Sequence, residues 1–497
     1  MVTAVGLSAY AALTAVYVGL GLPNADEGFY LYASRLVYEG QLPWRDFAFT
    51  QMPLLPYVYG LPQLVLGPGL ALGRVTSALF SVASVLLLVW TARRYAGPRA
   101  GAVVAVLLAS YPYGIYGFTV AKSYALLIFL IAATMATLAS GLRPTVRYPT
   151  ALALAVAAGM VRLSAMAFAA VIAVYCVTAV RGARARLAVV STALALVAVN
   201  AAFIVPAGDA AAYNLVAYHA GTWDAATLGA KLRAIVTERI PTGVDFFLPH
   251  WVLLLVAVGA ALALPELRHL VRRRPELAVS TLGLGLFVAA HLGSGEWQLH
   301  WLTPAIPGLV TLSAIGLTRA AATSPHLWAV VASLVGAVTL VVPVSQGYIP
   351  LLDRSGGQGP IDKLQDVGDF VAAHTAPEEE VLALESQLVA VAADRPMVPG
   401  VSMAQFSYQD VTAPEAEEYH LVNGDLVLRY LDQARPRAVV LSDWDWTLLS
   451  RAGTLSRRAR DPAPAREALQ ANYRLAYTKD HVGQGRATVS VYLPKDR

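Results

Sequence analysis

Apolar stretches of membrane-crossing length recur through the first two-thirds of the chain and then cease. They fall at residues 2–22, 70–92, 100–117, 123–141, 149–161, 163–180, 187–206, 246–264, 277–293, 302–318 and 326–344. A hydrocarbon core about 30 Å thick is crossed by about 20 apolar residues of helix, so the pattern predicts about eleven transmembrane helices in a module covering 1–344. Val2–Leu22 has neither a basic leading segment nor a small-residue cleavage site, and reads as a retained helix rather than a signal peptide.

Beyond the last run the pattern changes. Residues 345–360 include Gly356-Gly357-Gln358-Gly359-Pro360 and read as a linker; no strand precedes this segment and no Gly-Lys-Ser/Thr follows, so it is a poor phosphate loop. Over 361–497 short apolar runs (Val381–Leu384, Ala438–Leu441, Thr488–Leu493) alternate with helix-like segments (Ile361–His374, Pro464–Asn472), which predicts a small soluble α/β domain.

Between the spans, residues 23–69 and 207–245 form long loops. In the first, Tyr30, Ala33, Leu36 and Val37 repeat at helical spacing with Arg35 and Glu39 offset, predicting an amphipathic helix lying in the membrane interface. Leu228–Ile240 has a similar character.

Composition agrees with a bilayer: 57% of the 497 residues are hydrophobic and 14% charged, with a mean hydropathy of +0.55. The net charge of +5 does not point to nucleic acid, because residues 1–349 carry 21 Lys+Arg against 11 Asp+Glu while 350–497 carry 16 against 21. The excess is confined to alternate loops of the membrane part, where Arg93, Arg94, Arg99, Arg143, Arg147, Arg181, Arg184, Arg186, Arg268, Arg272, Arg273, Arg274 and Arg319 mark a cytoplasmic face. A cytoplasmic N-terminus with an odd span count makes the long loops and the tail extracytoplasmic, whereas ten or twelve spans would invert the tail. Cys176, the single cysteine, lies in an apolar run and reads as packing; a disulfide framework is excluded.

Chemistry concentrates at the outer edge of the first span. Asp26 and Glu27 are adjacent carboxylates where desolvation is costly without a partner or a purpose. Two readings stand side by side: acidic residues that complement the N-terminal dipole of a following helix, or a catalytic carboxylate. Arg74, Lys122 and Arg162 lie near outer ends of predicted spans and His300 opens a late one. Each is either a headgroup-snorkelling residue or a contact for a phosphate. Trp44, Trp223, Trp251, Trp297 and Trp301 fit an interfacial aromatic belt, and Asp443-Trp444-Asp445-Trp446 receives no role.

The segment Asp26-Glu27-Gly28-Phe29-Tyr30, then Gly40 to Asp46 with Pro43-Trp44-Arg45-Asp46, then Gln51-Met52-Pro53-Leu54-Leu55-Pro56-Tyr57 resembles the first external loop of polytopic glycosyltransferases of the GT-C fold, the branch with protein O-mannosyltransferases and aminoarabinose transferases. That loop reads approximately Asp-Glu-x-x-Tyr, Gly-x-x-Pro-Tyr-x-Asp, Pro-Pro-Leu. Here Trp44 replaces the usual Tyr and Met52 the first Pro of the pair. His300-Trp301-Leu302-Thr303-Pro304 is similar to the start of a late span in the same proteins.

The resemblance implies inverting transfer of a sugar, mannose, arabinose or similar, from a polyprenyl- or dolichyl-phosphate donor to a hydroxyl of a glycan, lipid or protein. On that implication Asp26 and Glu27 are the catalytic carboxylates, Arg74, Lys122, Arg162 and His300 contact the donor phosphate, and Tyr30, Arg45, Asp46, Tyr57 and Trp301 contact substrate. Related proteins commonly carry an acidic residue in the short second external loop; this one has Lys122, so no metal is expected. A divalent ion on Asp26, Glu27, Asp46, His219 and His250 is the alternative, without supporting ligand spacing. A transporter or flippase of lipid-linked sugars would be expected to show charges near mid-membrane in two related halves. A non-catalytic membrane assembly protein would tolerate change in the first loop.

Overall fold

The computed structural model describes residues 1–220, 227–242, 271–293, 299–322, 324–346, 352, 357–483 and 485–495. The first part is a helical bundle: α1 (Val2–Leu20), α2 (Asp26–Tyr38), α3 (Leu54–Leu66), α4 (Leu70–Ala96), α5 (Pro98–Ala109), α6 (Pro112–Gly117), α7 (Ser123–Ala139), α8 (Pro144–Val161), α9 (Met166–Ala179) and α10 (Ala183–Ala212), followed by helices Pro275–Leu292, Ile306–Ala321 and Pro325–Gln346. Among the described residues, Val2–Leu20, Leu70–Ala96, Ala183–Ala217, Pro275–Leu292 and Trp301–Ala321 are long and apolar enough to cross a membrane. Shorter apolar helices, Leu54–Leu66, Pro98–Ala109, Ser123–Ala139, Leu163–Ala179 and His326–Ala337, accompany them. Leu79 on α4 and Leu194 and Val205 on α10 are exposed, as hydrocarbon solvent allows. The predicted span at 246–264 lies outside the described residues.

Proline redraws two of the expected spans. The run at 100–117 breaks before Pro112, which lacks an amide donor and disfavours helix in the residue before it. The run at 187–206 extends to Ala212 across a kink at Pro206 and Gly208, whose φ is 51°. Helix α8 stops at Val161, and Arg162 adopts extended backbone (φ −146°, ψ 125°) before the chain turns into α9.

The tail is the small α/β domain expected. Its sheet has the order β1-β2-β4-β3: β1 (Val381–Ala383) runs parallel to β2 (Ala438–Ser442), and β4 (Ala487–Pro494) is antiparallel to both β2 and β3 (Tyr473–Val482). Val440 lies opposite Val491 in the core. Helix Pro360–His374 buries Leu364, Val367 and Val371, the i, i+3, i+7 stripe of a helix laid on a core.

This domain sits on the first loop, and the expected interfacial position of α2 is corrected accordingly. Ten of the 13 residues of α2 are buried, Ser34 and Tyr32 among them. One side packs on α3; the other meets helix Gln387–Ala393 of the tail domain. The approach is close enough that a Cβ on Gly28 would lie 2.9 Å from the Leu388 backbone nitrogen. The Met397 N–H donates to the Tyr32 hydroxyl (2.9 Å), Ser402 Oγ to the Ala48 carbonyl (2.8 Å) and His420 Nε2 to the Arg45 carbonyl (2.8 Å). Arg35 pairs with Asp394 at 2.8 Å.

The Asp443-Trp444-Asp445-Trp446 motif finds its explanation here. Asp445 accepts from the Ser442 N–H, and Ser442 Oγ from the Asp445 N–H, a capping box opening helix Asp443–Leu449. Fully buried Asp445 also accepts from the Glu385 N–H (2.7 Å) and Ser386 Oγ (3.0 Å). Glu385 shares the Ser442 hydroxyl with it (3.0 Å). Burial first, and the Asp445 charge second, push the Glu385 carboxyl from its ordinary 4.5 up to about 7. The folded domain therefore holds a proton that the unfolded chain releases, so this group's contribution to stability falls as pH rises from about 4.5 through about 7. Melting of the tail domain in the full chain is expected to weaken over that interval, and Glu385→Gln to flatten the slope; an unaltered pH slope in the variant refutes it.

Candidate active site

Glu27 and Arg74 lie at the centre of the junction between α1, α2 and α4, 0% and 1% exposed. Arg74 Nε and Nη2 donate to the two Glu27 carboxylate oxygens at 2.9 and 2.8 Å, a bidentate fork. The other guanidinium hydrogens go to the carbonyls of Gly21 (2.8 Å), Leu22 (3.0 Å) and Val18 (3.4 Å) at the end of α1. Glu27 in turn accepts from the backbone N–H groups of Asn24 (2.8 Å) and Ala121 (2.9 Å). All five donors of Arg74 are thus occupied by protein. This corrects the sequence expectation that Arg74 contacts phosphate: its place is behind the site, tying α1, α2, α4 and the Ala121 turn together.

Asp26, adjacent to that clamp, points elsewhere. Its carboxylate is 2.6 Å from Lys122 Nζ, with the side chains 25% and 8% exposed. Lys122 stands at the N-cap of α7, without a capping side chain, where the helix dipole presents its positive end. Its ammonium lies 5.6 Å from the centre of the Tyr124 ring, and the Arg162 guanidinium lies 5.5 Å from the centre of the same ring. Tyr30 lies among them: its hydroxyl hydrogen-bonds Ser123 and lies within the fields of Arg162, Asp26 and Lys122, while burial pushes its pKa up to about 12. Two cations, one carboxylate and two phenols thus gather at the break after α8 and the start of α7.

Arg162 is held by His291 and Ser123, which carry no site signal in the sequence, and lies near Trp301, which does. Its Nε donates to His291 Nε2 at 3.2 Å and its Nη1 to Ser123 Oγ at 3.4 Å, with the Trp301 ring 5.3 Å away. His291 Nδ1 is 3.1 Å from the Phe287 carbonyl, which only accepts, so the proton belongs on Nδ1 and Nε2 offers a lone pair to the guanidinium. Among the described residues no carboxylate is within ion-pair distance of Arg162. A cavity of about 330 Å³ adjoins it, lined in part by Thr50, Gln51, Ser164, His219, His291 and Trp301.

Several expected substrate contacts are employed otherwise. Arg45 and Asp46 pair with each other at 2.7 Å in an exposed turn, where Asp46 also accepts from the Leu42 N–H and the Arg45 hydrogen bond lowers its pKa. Fully buried Trp44 adopts φ 69° and donates its indole N–H to the Phe49 carbonyl at 2.6 Å, so this motif builds the loop. Tyr57 is half-buried against Phe203, 5.7 Å between ring centres. The His300 side chain lies outside the described residues, as does His250. Among the described residues no three His, Cys, Asp or Glu side chains gather as a metal site.

The arginine-rich end of the bundle is elsewhere. Glu276, at the first turn of helix Pro275–Leu292, accepts from Tyr95 (3.1 Å) and Tyr175 (3.5 Å). His291 closes the other end of that helix, so the two clusters stand about 22 Å apart along its axis.

No family model and no curated protein matches the sequence. Solved structures do match in fold. ArnT from Cupriavidus metallidurans bound to undecaprenyl phosphate superposes with a TM-score of 0.63 at 14% identity, covering 99% of this chain and 97% of ArnT. Its apo state gives 0.59 at 15% identity with the same coverage. The arabinofuranosyltransferase AftD from Mycobacteria gives 0.51 at 15% identity, covering 100% of this chain and 40% of AftD. Over nearly its whole length, the chain has the GT-C fold that ArnT and AftD share.

Proposed function

We propose that this protein is an inverting glycosyltransferase that moves a sugar from a polyprenyl-phosphate donor to an acceptor hydroxyl. The observation that carries the reading is the arrangement of Asp26 on Lys122, with Arg162 across the Tyr124 ring. With Asp26 paired to Lys122, the two cations leave the cluster one net positive charge in a site largely closed to water, which favours the arrival of an anion, and the undecaprenyl phosphate bound to ArnT has the required chemistry.

In this reading Lys122 and Arg162 hold the lipid phosphate, and Asp26 faces the acceptor. The acceptor oxygen forms its bond to the anomeric carbon from the side opposite the phosphate as the anomeric carbon–oxygen bond breaks. Asp26 takes the hydroxyl proton; the bonding pair leaves with the phosphate oxygen, and its growing charge is met by Lys122 and Arg162. Glu27 holds no proton in this scheme. Its clamp on Arg74 fixes the Ala121 turn, and thereby the distance between Asp26 and Lys122. The arginine-rich alternate loops of the sequence support a cytoplasmic face, and with it an extracytoplasmic reaction and tail domain.

Purified protein in lipid nanodiscs, given polyprenyl-phosphate donors with labelled pentose or hexose and a panel of glycan, lipid and peptide acceptors, is expected to release polyprenyl phosphate and label an acceptor. Arg162→Met is expected to raise the donor KM at least tenfold. Transport of the donor across a bilayer without cleavage, the flippase outcome, overturns the reading.

A further inference from the structure

Arg162 lies near the Tyr124 ring, which Lys122 also approaches, and lines the cavity of about 330 Å³. A donor's sugar is one oxygen away from its phosphate. If Arg162 holds the phosphate, the ring must lie in whatever space adjoins that guanidinium. The cavity is near the lower end of the range for small-molecule sites, about 300–1,000 Å³, a size for one ring rather than a glycan or a lipid tail.

Its wall is mostly apolar, with Leu163, Ala167, Leu215, Ala290 and Trp301, and among the described residues carries a few polar groups, none of them acidic. Thr50 and Ser164 supply hydroxyls, Gln51 an amide, and His219 and His291 imidazoles. Among the described residues no carboxylate lines it. His291 is fixed as the neutral tautomer by the Phe287 carbonyl, with Ser164 Oγ 3.3 Å from its Nε2. His219 Nε2 is 3.0 Å from the Thr50 carbonyl, and burial holds its pKa below the usual imidazole value, so it too is neutral at pH 7. Among the described residues the single fixed charge on the wall is the Arg162 cation. A sugar hydroxyl matches the polar groups of such a lining, because it both donates and accepts. An ammonium would stand beside a guanidinium with no carboxylate among the described residues to pair with, and like charges at such range repel.

Resting on the transferase reading above, we infer that the cavity walled by Gln51, Ser164, His219, His291 and Trp301 receives the donor's sugar ring, and that this sugar is a neutral pentose or hexose, not an amino sugar carrying a free ammonium.

The test uses the full-length protein and two polyprenyl-phosphate donors that differ at one position, a neutral pentose and the same pentose with an amine in place of one hydroxyl. The neutral donor is expected to be used with kcat/KM at least a hundredfold higher. Gln51→Glu, which puts a carboxylate in the cavity, is expected to shift that ratio toward the amino donor by tenfold or more, through donor KM. Equal use of both donors by the wild type, or preference for the amino donor, overturns the sugar class. A ratio unmoved in Gln51→Glu, with transfer of the neutral donor retained, overturns the cavity as the sugar site. Transfer from no donor, with polyprenyl phosphate still bound, instead removes the transferase reading on which the inference stands.

Discussion

Asp26→Asn is expected to lose sugar transfer by about 10²–10⁴-fold, the usual contribution of a positioned general base, while the protein folds and extracts as the wild type does. The amide keeps the size of the side chain and a contact with Lys122, but it cannot take the acceptor proton. Donor binding should change little, since Lys122 and Arg162 remain, so the loss should appear in kcat rather than in donor KM. Asp26→Glu, which restores a carboxylate about one methylene displaced, should recover part of the rate. Steady-state transfer with a labelled donor reads both quantities, and equal turnover by wild type and Asp26→Asn would remove Asp26 from the chemistry.

Glu27→Gln is expected to act through the fold, not the reaction. The Glu27–Arg74 pair is closed from solvent, and the guanidinium donors that Glu27 does not take go to the carbonyls of Val18, Gly21 and Leu22. Removing one charge leaves the other buried without compensation, a loss of about 3–5 kcal/mol where such pairs are broken singly. That is enough to lower the melting temperature of the detergent-purified protein by many degrees and to cut its yield. Arg74→Met should do comparable damage, and the two substitutions together less than their sum, because the second removes the orphaned charge left by the first. A Glu27→Gln protein as heat-stable as the wild type would contradict the clamp.

Much of the architecture was legible in the chain because bilayer and core impose periodicities on sequence. The apolar runs marked most helices of the bundle, and Val381–Leu384, Ala438–Leu441 and Thr488–Leu493 marked strands that the sheet contains. Strand β3 escaped because its residues Tyr473–Val482 are mostly half-buried or exposed and carry no apolar run. In the site, Asp26, Lys122 and Arg162 could be found as ionisable groups at outer span ends. The same rule drew in Arg74, since nothing in a linear sequence shows that Glu27, 47 positions away, takes its guanidinium. His291 was hidden for the opposite reason: it ends a span, and only the packing of its helix against α9 and the turn after Arg162 makes an apolar-run histidine a partner for Arg162. The cover over α2 was invisible too. The helix read as lying in the membrane interface, and only contacts with the tail domain, Tyr32 with Met397 and Arg35 with Asp394, cover that side of it.

The contacts between the first loop and the tail domain join residues far apart in synthesis: Tyr32 waits for Met397, Arg35 for Asp394, and Arg45 for His420, separations of 365, 359 and 375 positions. The helix that carries Asp26 is therefore made long before the surface that covers it. Nascent chains halted before residue 380 would carry that helix uncovered, and its cover can pack only once helix Gln387–Ala393 and the segment to His420 have been made.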